Sequence, residues 1–283
     1  MINILLILVT LLILWFVAGY FSARHVTGRQ PADPSDPSKR PSNAEDVVIQ
    51  TEDNLNISAW YIDNKSEKAV IILAGIGCHR EYVVNRAENY INKGYSVLLP
   101  DLRCTGNSEG SLISFGWHES KDLIACYEFL CNKNKTSIGL HGYSLGAATI
   151  VYSLPRISNY EFLVLESCYD NIDNALSNRV AKFKLPSFVY YPFRFFTEKL
   201  IKVSSSYLYP EKYIINACAP TLIMAGDDED QLKLEETHNI YQKCGAKFKE
   251  LHIFKGGKHE DFKLRFEEEY NKVLNSFLEK INA

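Results

Sequence analysis

The alternation of apolar and polar positions divides the chain into three parts. From Ile2 to Ala23 there is no charge, and between Ile4 and Phe21 only Thr10 and Gly19 break the apolar run. At ~1.5 Å per residue such a run covers the ~30 Å hydrocarbon layer of a bilayer. Residues 2–23 are therefore expected to form a transmembrane anchor, with Trp15, Tyr20 and Phe21 at its C-terminal end, where interfacial aromatics belong. A cleaved signal peptide would need a basic leader, a shorter apolar core and a small-residue cut site. No Lys or Arg precedes this run and no such site follows it. Residues 24–44 carry Pro31, Pro34, Pro37 and Pro41, which interrupt helix and favour extended backbone. They read as a semi-rigid linker that lifts a domain off the bilayer.

From residue 45 to 283 the pattern is globular and shows no fixed-period repeat. Residues 45–51 and 56–61 predict an opening hairpin about the turn Glu52-Asp53-Asn54. Ala69–Leu73 is a continuous apolar run, as in a strand buried on both faces. Further strands are predicted at 95–99, 136–140, 161–165, 221–225 and 250–254. Helical spacing predicts helices at 80–93, 119–130, 145–154, 232–244 and 262–281. This order implies an α/β architecture: a mostly parallel sheet with helices on both faces. Binding and catalytic residues are then expected at the carboxyl ends of the strands. The segment 170–213 interrupts the alternation and is rich in aromatic residues.

Composition narrows the class. A net charge of -3 offers no basic field for nucleic acid, and 46% apolar residues exclude a disordered chain. The seven cysteines include no pair three residues apart, so neither a zinc ribbon nor a C-x-x-C redox pair is present. They read mostly as buried thiols, which suits a reducing compartment. Arg24, Arg29, Lys39 and Arg40 follow the apolar run, which puts the domain on the cytoplasmic side by the positive-inside rule. Three N-x-S/T triplets, at Asn56, Asn64 and Asn134, point the other way, but such triplets arise by chance in an Asn-rich chain.

The chemistry concentrates in Gly142-Tyr143-Ser144-Leu145-Gly146, between a predicted strand and a predicted helix. That context belongs to a nucleophile elbow: flanking glycines keep Cβ atoms out of a crowded turn, and the serine hydroxyl projects beside a helix N-terminus. The bland alternative is an ordinary tight strand–helix turn. A nucleophilic serine needs a base and an orienting acid in the order Ser, acid, His. His259 lies in Gly256-Gly257-Lys258-His259-Glu260, between the last strand and the last helix, and is the candidate base; alone, it would read as a solvated loop histidine. The loop Gly226-Asp227-Asp228-Glu229-Asp230 offers four carboxylates, of which one need face the imidazole. The others would charge the N-terminus of the helix that follows.

At these motifs the chain resembles the alpha/beta-hydrolase superfamily of serine hydrolases, from about residue 45 to the end. Asp101-Leu102-Arg103-Cys104-Thr105-Gly106-Asn107-Ser108-Glu109-Gly110 is similar to a family loop, and Phe115-Gly116-Trp117 with Glu119 and Asp122 matches another family stretch. The resemblance implies that Glu229 is the acid, a one-residue shift selecting Asp228 or Asp230 instead. It also implies that 170–213 forms a cap over the serine. The backbone N–H groups of Leu145 and Ile76 would then make the oxyanion hole. The chain departs from the family at Cys104, where glycine is usual, and at Ala74-Gly75-Ile76-Gly77, where His-Gly is usual.

The expected function is hydrolysis of a carboxylic ester or thioester, acyl or lipid-like, through an acyl-enzyme on Ser144, with no metal or organic cofactor implied. The expected partners are a small-molecule ester and, through residues 2–23, the bilayer; no protein partner is named by the pattern. Two alternatives stand beside this reading. One is a peptidase of the prolyl-oligopeptidase kind, whose usual large propeller has no room here. The other is a non-catalytic, membrane-tethered binding module, which would have no need of candidate triad parts.

Overall fold

The computed structural model describes residues 2–29, 36–259 and 261–281. Pro31 and Pro34 of the linker, and Glu260, lie outside the described residues. The chain enters through helix α1 (Ile2–Thr27) and a hairpin of β1 (Glu45–Gln50) and β2 (Asn56–Ile62). Then come β3 (Lys68–Leu73), α2 (Ala87–Ile91), β4 (Ser96–Pro100), α3 (Glu119–Asn132), β5 (Ser137–Tyr143), α4 (Leu145–Ser153) and β6 (Phe162–Glu166). Three cap helices follow, α5 (Ile172–Ala181), α6 (Tyr191–Ile201) and α7 (Pro210–Tyr213). The chain closes with β7 (Thr221–Gly226), α8 (Leu234–Lys243), β8 (Lys249–Phe254), α9 (Phe262–Arg265) and α10 (Glu267–Ile281).

The strands make one eight-stranded sheet in the order β1-β2-β4-β3-β5-β6-β7-β8. β2 pairs antiparallel with both β1 and β4, and every later pairing is parallel. Period-two alternation explains why the central strands read as unbroken apolar runs. Ile71, Leu73, Leu140 and Leu165 face a core closed by α3 and α4. Their neighbours Val70, Ile72, Val164 and Met224 face a second core closed by α2 and α10. Each fully buried aliphatic side chain contributes ~1.5–3 kcal/mol of transfer free energy, so both faces hold helices.

Two predicted helices are broken where side chains are drawn elsewhere. Across 80–93 the chain makes short 3-10 turns at Arg80–Tyr82 and Val84–Arg86 before α2. Arg80 turns inward to Asp101 (2.8 Å), and Arg86 turns inward to Glu166 (2.7 Å). At the C-terminus, Phe266 leaves helical geometry (φ -122, ψ 43) between α9 and α10, and its ring stacks on Phe254.

The anchor segment departs from the spacer picture. α1 continues past residue 23 to Thr27, and its C-terminal half lies on the cap rather than apart from the domain. Trp15 donates through Nε1 to the Val189 carbonyl (3.0 Å), so this aromatic packs against protein. The N–H of Ile113 donates to the Thr27 carbonyl (2.6 Å), and Arg29 donates to the carbonyls of Gly106 and Ser108. By length and composition, 3–27 is the helix apolar enough to cross a membrane among the described residues.

Arg86 and Glu166 form a bidentate pair (2.9 and 2.7 Å) with almost no exposure, facing α2 and α10. The Tyr270 hydroxyl donates to Glu166 Oε1 (2.6 Å), and His141 Nε2 lies 2.5 Å from the same oxygen. Burial works to raise the Glu166 pKa, but the charge and hydrogen bonds of Arg86 outweigh it and hold the carboxyl below its ordinary range. Burial also pushes the His141 imidazole below its ordinary value. Breaking such a pair leaves an uncompensated buried charge, at a cost of ~3–5 kcal/mol. Arg86→Met should therefore lower stability by about 3–5 kcal/mol in urea unfolding. Arg86→Met/Glu166→Gln, which leaves no buried carboxylate charge, should recover part of that loss.

Candidate active site

The site is assembled at the carboxyl edge of the parallel strands, from the loops after β3, β5, β6, β7 and β8. β5 ends in Tyr143, and Leu145 already opens α4, so Ser144 makes the whole turn. Its backbone is left-handed (φ 51, ψ -110), a conformation that costs a non-glycine residue ~1–3 kcal/mol. The surroundings hold it there. The Ser144 N–H donates to the Glu166 carbonyl (2.8 Å), and the Ser144 carbonyl accepts from Ala148 N–H (3.1 Å). The flanking glycines are sterically required. A Cβ at Gly142 would collide with the backbone of Gly146 and Ala147, and one at Gly146 would lie 2.5 Å from the Leu73 carbonyl oxygen.

Ser144, His259 and Glu229 come together from three loops. Ser144 Oγ is 3.0 Å from His259 Nε2, and His259 Nδ1 is 2.7 Å from Glu229 Oε2. The Glu229 side chain is 1% exposed and that of His259 10%. The second carboxylate oxygen of Glu229 accepts from the Ser167 hydroxyl (2.7 Å) and the Gly226 N–H (2.8 Å). With both oxygens engaged, the carboxylate faces the imidazole in one orientation. The Tyr143 ring lies 5.6 Å from that of His259, tilted by 33°.

The other acids of the loop turn elsewhere. Asp227 accepts from the Gly256 N–H (2.5 Å), tying the two loops together. Asp228 is exposed, and its N–H donates to the Gly257 carbonyl (3.0 Å). Asp230 is exposed and pairs with Lys182 of the cap (2.5 Å), whose hydrogen bond holds its carboxyl below the ordinary value. Leu145 and Ile76 both border the cavity above Ser144. As the first residue of α4, Leu145 carries one of the N–H groups that a helix start leaves without an intrahelical acceptor.

That cavity measures about 610 Å³, and Ser144, His259, Ile76 and Leu145 are among the residues that line it. The cap covers it with apolar side chains, among them Ile172, Leu176, Phe183 and Phe193. The cap keeps a small core of its own in Ile172, Leu176, Ile201, Val203 and Leu208. Among the described residues no cluster of His, Cys, Asp or Glu is arranged to hold a metal ion.

No family model matches the chain. It is similar to an uncharacterised protein of Bacillus subtilis, 26% identical over an alignment of 247 residues that covers 83% of this chain and 79% of that protein. An uncharacterised membrane protein of Saccharomyces cerevisiae is 22% identical over 232 residues, covering 80% of this chain and 76% of its own. Among solved structures, an esterase of Pyrococcus furiosus superposes with a TM-score of 0.75 at 26% identity, covering 90% of this chain and 98% of that one. The chain is an alpha/beta hydrolase of esterase-like build.

Within this alpha/beta hydrolase the departures from the family pattern acquire structural meaning. Cys104 is buried with φ 64, the left-handed geometry that favours glycine. In the loop after β3, Gly75 lies under the Tyr143 ring, where a Cβ would sit 3.0 Å from Cε1. Arg103 and Asp122 pair at 2.7 Å, and Glu119 accepts from Ser114 and Gly116, so buried acids brace both family-like stretches, and Phe115 of the second borders the cavity over Ser144.

Ser167 was invisible to sequence reasoning. It carries no motif, yet it sits left-handed (φ 48) just after β6 and touches the Glu229 carboxylate. The one available signal was the acid that ends an apolar strand, Phe162–Glu166, next to a hydroxyl. The acid loop and the histidine loop also meet through backbone. A Cβ at Gly226 would collide with the Gly257 carbonyl oxygen, whereas one at Gly256 (φ 71) would meet nothing within 4 Å. Gly226→Ala should therefore cost about 1–3 kcal/mol by overpacking. Gly256→Ala should lose only the ~1–2 kcal/mol of left-handed geometry. Urea unfolding of the two variants, side by side, checks this order.

Proposed function

We propose that the protein is a serine hydrolase that cleaves a carboxylic ester or thioester of acyl, lipid-like character through an acyl-enzyme on Ser144. The observation that carries this reading is the unbroken line Ser144 Oγ, His259 Nε2, His259 Nδ1, Glu229 Oε2, with contacts of 3.0 and 2.7 Å. Its likeness to the Pyrococcus furiosus esterase supports ester hydrolysis in general.

In this mechanism His259 Nε2 takes the hydroxyl proton of Ser144 as Oγ attacks the substrate carbonyl carbon. Glu229 holds the imidazole in the tautomer that leaves Nε2 free to accept, and it stabilises the imidazolium that forms. The carbonyl oxygen becomes an oxyanion and is received by the N–H groups of Leu145 and Ile76, helped by the α4 N-terminus. The tetrahedral adduct collapses, the alcohol or thiol leaves with the proton held on His259, and the acyl group stays on Ser144 Oγ. Water then gives a proton to His259 and attacks the acyl carbon, releasing the carboxylic acid and restoring Ser144. No metal or organic cofactor enters these steps.

We assign α1 the role of a bilayer anchor, on its apolar length and on the yeast relative that is called a membrane protein. The basic residues Arg24, Arg29, Lys39 and Arg40 after the helix favour a cytoplasmic domain.

Two measurements check the assignment. Ser144→Ala should lower kcat for short p-nitrophenyl esters by ~10⁴-fold or more while the fold survives; retained turnover would reject the serine. Among the acids, Glu229→Gln should cost about 10³–10⁴-fold in kcat. Asp228→Asn and Asp230→Asn should stay near the unmodified rate. A larger loss in either aspartate variant would transfer the role to that residue.

A further inference from the structure

The cap does not enclose the cavity over Ser144 by itself. One wall is the apolar helix α1, which contributes Trp15, Ala18, Gly19, Ser22 and Val26. These positions recur every three or four residues and so share one helix face. The wall is seated: Trp15 is hydrogen-bonded to Val189, and Gly19 packs so closely on Pro192 that a Cβ there would lie 2.5 Å from the proline Cβ.

Beyond Trp15, towards the N-terminus, the helix is bare, and residues from Ile4 to Leu14 are largely exposed. Residues 2–14 extend only ~20 Å along the axis, short of the ~30 Å hydrocarbon layer. Burying the whole apolar run in lipid therefore brings the part of α1 that faces the cavity, and the cap packed on it, to the level of the membrane. The cap surface suits that depth. Phe183, Leu185, Phe188, Tyr191 and Phe195 are 48–75% exposed, and Phe183 and Leu185 also line the cavity. Lipid-facing patch and cavity mouth are thus continuous. The lining is mainly apolar, and at about 30 Å³ per carbon a chain of about sixteen carbons needs about 480 Å³, for which the cavity of about 610 Å³ has room.

We infer that α1 is a wall of the substrate site as well as an anchor, and that the substrate is a long-chain acyl amphiphile entering sideways from the bilayer. Its chain lies between α1 and the cap, and its ester reaches Ser144. The inference rests on the hydrolase reading for its chemistry, and on the cavity alone for its binding.

The test uses the full chain in phosphatidylcholine nanodiscs. Hydrolysis of 4-methylumbelliferyl palmitate carried in the bilayer is compared with that of water-soluble 4-methylumbelliferyl acetate. Ala18→Trp/Ser22→Trp fills the cavity from the α1 side and should lower the palmitate-to-acetate rate ratio by about tenfold or more. Leu14→Trp, on an exposed position of the same helix that does not border the cavity, should leave the ratio unchanged. An unmoved ratio in the filled variant, or an equal fall in Leu14→Trp, overturns the inference. A second measurement needs no chemistry: binding of a pyrene-labelled palmitate to Ser144→Ala protein in detergent should weaken about tenfold in the filled variant. Binding lost on filling, with neither ester turned over in the unmodified protein, would sink the hydrolase reading and leave the acyl site standing. Turnover of both esters with no effect of filling on the ratio or on binding would do the reverse.

Discussion

One backbone turn constrains the rest of this molecule: Ser144 is held left-handed between a strand and a helix, with no room for a side chain at Gly142 or Gly146. A residue in such a conformation persists only where the surroundings over-determine it. Here the Glu166 carbonyl accepts its N–H, α4 starts from its carbonyl, and Gly142 and Gly146 let three backbones converge. The hydroxyl is thereby presented above the sheet edge, at the place where the loops after β7 and β8 bring a carboxylate and an imidazole.

The same residue ties the turn to the buried electrostatics. The main-chain carbonyl of Glu166 receives Ser144, while its side chain receives Arg86, Tyr270 and His141. An ion pair this deep contributes little net stability over a well-packed apolar substitute, because desolvation offsets the attraction. What it supplies is a defined position. The end of β6 is fixed from one face of the sheet, and the elbow and Ser167 stand on it. Strain at the serine and the buried charges at Glu166 are therefore coupled through a single strand end.

On the anchor role we propose, the N-terminal helix puts one apolar surface to use in two solvents. Hydrocarbon and a protein core both accept a helix that is apolar all round. The first half of α1 is left bare, and the second half lies against α6 and the cavity over Ser144. The acyl specificity we propose follows from that sharing.

How much of this was legible in the sequence depends on the range of the interaction. Period and run length are local, so the anchor-like helix, the hairpin, the buried strands and the parallel order could be read directly. The elbow could be read too, because its glycines and serine are adjacent in the chain. The choice among Asp227, Asp228, Glu229 and Asp230 could not be settled by residue type, since all four are acids in one loop. Packing turns Glu229 inward onto His259, Ser167 and Gly226 and leaves Asp228 and Asp230 exposed, which is the ground for the role we propose for Glu229. The contacts of Arg86 with Glu166 and of Trp15 with Val189 join residues 80 and 174 positions apart. No local pattern encodes such pairs. They exist only once the sheet has brought distant segments to one edge and the apolar helix has found a protein surface to cover.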